Sequence, residues 1–132
     1  MKIIGIDIGT TSLSFAVTDR DTLSVIRNYT IANDSFIQTG NPWERIQDTE
    51  VILSRIRPVL NEILDTYSDI AAIGITSQMH GIVYINSCGH AVSPLYTWQD
   101  GRGALPAFNG RSICRILSEG TNIKAAPGYG LV

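Results

Sequence analysis

A mixed α/β sheet is the fold class this sequence predicts, and three observations predict it. Apolar strand-like runs open the chain, a long stretch with helical periodicity follows them, and a continuous apolar run comes after that stretch. Residues 2–7 hold Ile3, Ile4 and Ile6, and residues 12–19 set Leu13, Phe15 and Val17 alternately against smaller or polar neighbours. The turn Gly9-Thr10-Thr11 between them predicts a hairpin, because glycine adopts backbone conformations that other residues avoid. Residues 24–32 supply Val25, Ile26, Tyr29 and Ile31 for a third strand of an antiparallel meander.

Residues 33–40 read as a loop. Asn41-Pro42-Trp43-Glu44 then combines a capping residue, a proline at a first helical position and an acid, which predicts a helix start. Ile46, Leu53, Ile56, Leu60, Ile63, Leu64 and Tyr67 recur mainly at steps of three and four and form its apolar face. Pro58 removes one backbone hydrogen bond at a cost of about 3 kcal/mol, so a kink or break is expected near residues 54–57. Residues 70–76 form the continuous apolar run, a strand expected inside the sheet. Residues 81–85 and 95–98 are further strand candidates with a turn at 86–89, and a short helix fits residues 111–118.

Composition bounds the function. The 132 residues, 44% hydrophobic and 17% charged, suit one compact soluble domain with an ordinary core. A formal net charge of -2, spread along the chain, provides no basic footprint for nucleic acid. Asp7 interrupts the N-terminal apolar run well before it could serve as a signal or membrane segment, so no membrane association and a cytoplasmic location are expected. Cys88 and Cys114 are too few and too far apart for a disulfide framework or zinc knuckle, and each is expected as a reduced, partly buried thiol.

Chemistry-bearing residues gather in three places. In Gly5-Ile6-Asp7-Ile8-Gly9-Thr10-Thr11-Ser12 a strand ends in a carboxylate, a glycine turn and three hydroxyls. Successive N–H groups of such a turn hold phosphate oxygens in one concavity, with hydroxyls adding hydrogen bonds. A carboxylate beside phosphate requires an intervening cation, so Asp7 is the candidate ligand of Mg2+, held through water. The competing reading is a plain hairpin whose Asp and Thr satisfy the turn's own backbone. Neither a P-loop lysine nor the spaced glycines of a dinucleotide-binding turn is present.

The run Ile73 to Gly81, IGITSQMHG, brings Ser77, Gln78, Met79 and His80 out at the end of a strand. Gln78 and His80 can hold sugar hydroxyls while Met79 packs on a carbon chain, or His80 is a capping histidine beside a core methionine. In Tyr96-Thr97-Trp98-Gln99-Asp100-Gly101-Arg102 an indole offers a flat face to C–H groups and Asp100 can orient hydroxyls. A core tryptophan beside a surface Asp100–Arg102 salt bridge is the alternative.

Together these motifs resemble a known family. IGIDIGTTS is similar to the first phosphate motif of the superfamily of sugar kinases, actin and heat-shock chaperones. QMHG resembles the substrate segment of FGGY ketose kinases, although Ser77 stands where those kinases usually carry glycine. Glycerol kinases carry an arginine-glutamate pair in the corresponding place. TWQDGR resembles the W-x-D-x-R signature of the same kinases, most like the sedoheptulokinase branch, as does Gly128-Tyr129-Gly130.

The resemblance implies a ribonuclease-H-like mixed sheet with flanking helices, with residues 1–132 forming part of the N-terminal domain of a two-domain kinase. It implies ATP and Mg2+ as cofactors and a ketose such as xylulose or sedoheptulose as substrate. Gly9, Thr10, Thr11 and Ser12 fall on the nucleotide-phosphate side, Asp7 on the metal, and Gln78, Met79, His80, Trp98 and Asp100 on the sugar, with Arg102 bracing its loop. The catalytic base, the second phosphate motif and the closing domain are expected downstream of Val132, which leaves this segment alone inactive. An apolar face awaiting that domain is expected to favour a homodimer. The alternatives are a non-catalytic sugar- or nucleotide-binding module of the same fold, and a scaffold of the actin or chaperone type that would leave QMHG and TWQDGR unexplained.

Overall fold

β1, Lys2–Ile8, turns back on β2, Ser12–Asp19, as the alternating apolar pattern requires. Ile4 faces Val17, Ile6 faces Phe15 and Ile8 faces Leu13, so their side chains share one side of the sheet. The structure, a computed structural model, describes residues 1–129. β3, Val25–Ala32, extends the meander, with Phe15 opposite Tyr29. β5, Ile70–Ser77, lies parallel to β1, a pairing that needs a crossover, and α1, Thr49–Thr66, supplies it. The resulting order is β3-β2-β1-β5.

The chain divides into two compact units, the first built from Met1–Ser35 and Glu50–Gln78. Its buried apolar residues are Ile4, Ile6, Leu13, Phe15 and Val17 from one sheet face, together with Ile52, Ile56 and Ile63 of α1. The helix therefore covers that face. Each such burial stabilises by about 1.5–3 kcal/mol relative to exposure. The opposite face carries the small or polar residues Gly5, Asp7, Ser14, Ala16 and Gly74, and a concavity of about 580 Å³ runs across it.

The helix starts later than predicted. Glu44 N–H donates to Asn41 O at 3.1 Å and Asn41 Nδ2 donates to Glu44 Oε2 at 3.2 Å, closing a turn around Pro42. Pro42 thus serves a turn rather than a first helical position. Ile46–Gln47 forms β4, paired antiparallel with β6, Leu95–Tyr96. The expected break at Pro58 is absent, and α1 is one uninterrupted helix. Pro58 deprives the Ser54 carbonyl of its helical donor, and because Ser54 is exposed that carbonyl is open to solvent and the helix continues past it. Leu53 and Leu64, placed on the apolar face by spacing, are exposed, and Ile52 takes a buried place instead.

β5 is an edge strand among the described residues, not an interior one, and Ile73 and Ile75 are 45% and 68% exposed. The second unit comprises Phe36–Thr49 and the stretch from Met79 onward. There the predicted strand at 81–85 reduces to isolated bridges, Ile82 with Tyr96 and Ile85 with Ala91. The turn at 86–89 forms, with Asn86 Oδ1 accepting from the N–H groups of Cys88 and His90, both at 2.9 Å. Cys88, at this tip, is exposed rather than partly buried, whereas Cys114 is buried in α2, Ile113–Thr121. Ser112 caps α2 by accepting from Arg115 N–H at 3.2 Å. No helix among the described residues is long and apolar enough to cross a membrane.

Candidate functional site

In the first unit the parallel pairing of β1 with β5 places Ile8 beside Ser77, so the residues that follow both strands become neighbours. Gln78 N–H donates to Ile8 O at 2.9 Å, and Thr10 Oγ1 donates to Gln78 Oε1 at 2.9 Å. Gly9 N–H donates to Ser12 O at 2.9 Å. A Cβ on residue 9 would stand 2.8 Å from that same oxygen, which is why the turn requires glycine.

Asn33, just past β3, grips the turn from the other side. Its Nδ2 donates to Gly9 O at 2.8 Å and its backbone N–H donates to Thr11 O at 2.9 Å. Ser35 Oγ donates to Asn33 Oδ1 at 2.6 Å, and both residues are buried. Sequence reasoning missed this pair. The only signal was an asparagine at a strand end with a serine two positions on.

Asp7 is exposed at the end of β1, next to the Gly9 turn. Among the described residues no group of three or more His, Cys, Asp or Glu gathers for a metal. One carboxylate beside hydroxyls and backbone N–H groups fits Mg2+, which keeps several waters and takes further oxygens from phosphates. It does not fit a metal that demands an all-protein cage.

In the second unit the alternative of a core tryptophan beside a surface salt bridge is inverted: Trp98 is 48% exposed, whereas Asp100 is fully buried. Asp100 Oδ1 accepts from Arg102 N–H at 3.1 Å and Arg102 Nε at 2.7 Å. Its Oδ2 accepts from Arg45 N–H at 3.0 Å and Arg102 Nη2 at 3.1 Å. Burial alone would raise the Asp100 carboxyl, but the Arg102 side chain and the two backbone N–H groups outweigh it and hold the carboxyl below its ordinary value. The Asp100 contact in turn raises the Arg102 guanidinium.

Arg102 also donates to Glu44 Oε1 at 3.2 Å and lies 4.2 Å from the Tyr96 ring centroid and 5.7 Å from that of Trp43. Thr97 is locked by two donations to Arg45 O, from its N–H at 3.1 Å and its Oγ1 at 2.8 Å. The loop carrying Trp98 is therefore rigidly braced. Trp43, Glu44 and Arg45, which the sequence reading assigned to a helix start, supply half of that brace.

Met79 is 74% exposed and His80 is exposed, so no core methionine beside a capping histidine forms. His80 adopts φ 61, a left-handed conformation costing about 1–2 kcal/mol, and its ring centroid lies 4.9 Å from that of Tyr129. Gly128, at φ 80, approaches Trp98 so closely that a Cβ would sit 1.7 Å from Trp98 O. Gly130 lies outside the described residues. The structure thus gathers Asp7, the Gly9 turn and Gln78 in one unit, and His80, Trp98, Asp100 and Arg102 in the other.

Comparison with known proteins gives the same grouping a family. The chain is 31% identical over 104 residues to the xylulose kinase of Staphylococcus xylosus, a match covering 76% of this chain and 20% of the relative. It is 28% identical over 151 residues to the sedoheptulokinase of Mus musculus, covering 96% and 30%. It is 34% identical over 108 residues to the glycerol kinase of Agrobacterium fabrum, covering 77% and 21%. The chain therefore spans less than a third of the length of these relatives. Its fold matches a crystal structure of a "xyloylose" kinase from Brucella ovis with a TM-score of 0.76 at 19% identity, over 98% of this chain and 27% of that one. Residues 2–126 match the N-terminal domain of the FGGY family of carbohydrate kinases, and to that family the chain belongs.

Proposed function

We propose that the chain is part of the N-terminal domain of an ATP-dependent kinase that phosphorylates a hydroxyl of a ketose of the xylulose or sedoheptulose type. The observation that carries this reading is the Gly9 turn, held by Asn33 on one side and Gln78 on the other, with exposed Asp7 beside it. Gly9, Thr10, Thr11 and Ser12 bind the nucleotide phosphates through N–H and hydroxyl donors. Asp7 would hold Mg2+, which when bound would neutralise phosphate charge and polarise the transferring group.

Gln78, Met79, His80 and Trp98 are each assigned to the sugar. The exposed indole of Trp98 packs against C–H groups, and His80 Nδ1 or Nε2 meets hydroxyls. Asp100 serves this role by fixing the Trp98 loop, since both of its oxygens are already engaged within the protein. The strained φ of His80 supports a ligand role, because such strain persists where a site requires it. A base for the attacking hydroxyl lies elsewhere in the complete, cytoplasmic enzyme.

The test is magnesium-dependent ADP release by the full-length gene product, with xylulose, sedoheptulose, ribulose, gluconate and glycerol offered separately. Release with one ketose is expected. Release with glycerol alone would overturn the ketose assignment, and release with none would favour a non-catalytic binding module.

A further inference from the structure

We propose that Asn33 is a positioning residue for the phosphate turn, fixing the direction of its N–H groups by drawing two of its carbonyls to one side. The proposal rests on the reading of that turn as a phosphate clamp and adds what sets its geometry. An anion site built from backbone must aim N–H groups at the ligand and turn carbonyl oxygens away, because carbonyl dipoles repel phosphate. In a glycine turn nothing intrinsic enforces this, since glycine leaves its peptide planes free to rotate.

Asn33 provides the constraint. Its Nδ2 holds Gly9 O at 2.8 Å and its N–H holds Thr11 O at 2.9 Å, so both carbonyls face the same residue. No cis peptide bond is present among the described residues. In a trans peptide the N–H points opposite to the C=O of the same plane, so the N–H groups of Thr10 and Ser12 are directed away from Asn33. The amide itself cannot rotate. Ser35 Oγ fixes Asn33 Oδ1 at 2.6 Å, Ser35 N–H approaches the same oxygen at 3.4 Å, and both residues are buried. Breaking that arrangement would leave buried polar groups unpaired, which is costly enough to keep it closed.

Gly9 O and Thr11 O differ in how they depend on the side chain. The Thr11 contact uses the Asn33 backbone and survives substitution, whereas the Gly9 contact is lost with the amide. Asn33→Ala therefore frees one peptide plane of the turn while the hairpin remains. Asn33→Asp places a carboxylate against Gly9 O and drives that plane over.

The full-length gene product is assayed as wild type, Asn33→Ala, Asn33→Asp and Ser35→Ala, varying MgATP and sugar independently. Loss of one hydrogen bond predicts a rise of about five- to tenfold in KM for MgATP in Asn33→Ala, larger in Asn33→Asp and smaller in Ser35→Ala. KM for the sugar stays within about twofold, a split that general loosening of the fold would not produce. An unchanged MgATP KM, or both KM values rising together, overturns the positioning role. If Asn33→Ala does not fold, Ser35→Ala decides by the same split.

If the wild type releases no ADP with any sugar, the kinase reading fails and the positioning role is judged on magnesium tripolyphosphate. Shifts of the Thr10 and Ser12 amide resonances in the wild type that weaken in Ser35→Ala support it. Absence of those shifts in the wild type overturns it.

Discussion

Thr10 Oγ1 and Gln78 Oε1 meet at 2.9 Å across 68 positions of sequence. The bond ties the turn after β1 to the segment after β5, and so joins a residue of the Gly9 turn to the first residue of the QMH run. Both residues are placed there by the parallel register that sets Ile8 beside Ser77.

Gln78→Leu keeps the side-chain volume but removes the acceptor. Thr10 Oγ1 loses its contact with Gln78, so on the proposed reading a change at a sugar-binding residue is expected to register in nucleotide binding. KM for MgATP in the full-length gene product should rise about threefold to tenfold, the equivalent of one ordinary hydrogen bond. Steady-state kinetics with MgATP varied at saturating sugar measures it. An effect confined to the sugar KM would show that the bond carries nothing between the two segments.

Asp100 is expected to make stability depend on acid pH. Its folded carboxyl is held below the ordinary range, so its contribution is complete above the unfolded value near about 3.9 and is lost as pH falls through the folded value. Asp100→Ala leaves Arg102 half-buried without its main partner and should cost about 2–4 kcal/mol at neutral pH. Asp100→Asn should also destabilise, with a gap from wild type that narrows as pH drops from about 5 to about 3. Denaturant titrations at those pH values provide the measurement, and a gap independent of pH would mean that charge is not what Asp100 contributes.

Gly128→Ala should release the segment around Tyr129 from Trp98. The substitution meets two obstacles together, a φ of 80 and a Cβ position 1.7 Å from Trp98 O, and neither side can yield because both are backbone. The contact between His80 and Tyr129 is then lost. Lys124 lies exposed just before this segment, so cleavage there by trypsin should accelerate while the bulk of the chain resists. Equal cleavage rates in the two proteins would contradict the close packing.

The part of the fold that was legible in the sequence is the part written in short-range period. Alternation of Leu13, Phe15 and Val17 fixes which face of the hairpin is buried, and the structure keeps it. The start of α1 was not legible, because proline looks the same at the second position of a turn and at the start of a helix. What decides between them is the pairing of Ile46 with Tyr96, fifty residues away. An isoleucine-rich strand reads alike at the edge and the interior of a sheet, so the exposure of Ile75 could not be foreseen.

The site divides in the same way. Gly9, Thr10 and Gln78 were legible as motif members, and Asp100 and Arg102 as a charge pair. Asn33 was not, since a side chain holding a carbonyl 24 positions away leaves no periodic trace. The burial of Asp100 was equally hidden, because it depends on the Arg45 N–H, 55 positions away, coming to meet it.

The exposed edge carries the last prediction. Ile75 is 68% exposed on β5, whose outer edge pairs with no strand among the described residues, and Ile73 beside it is 45% exposed. Unpaired backbone flanked by isoleucine is a template for pairing with another chain. The 132-residue chain is therefore expected to self-associate through this edge as its concentration rises, which is the form a homodimer of it would take. Ile75→Lys should suppress the association, because a charge on an edge strand must be desolvated for pairing to proceed. Stability should change by no more than about 0.5 kcal/mol, as the side chain contributes little to the core. Sedimentation velocity over a range of concentrations distinguishes the cases. A wild type that stays monomeric throughout, or a variant that associates equally, would place any dimer contact away from β5.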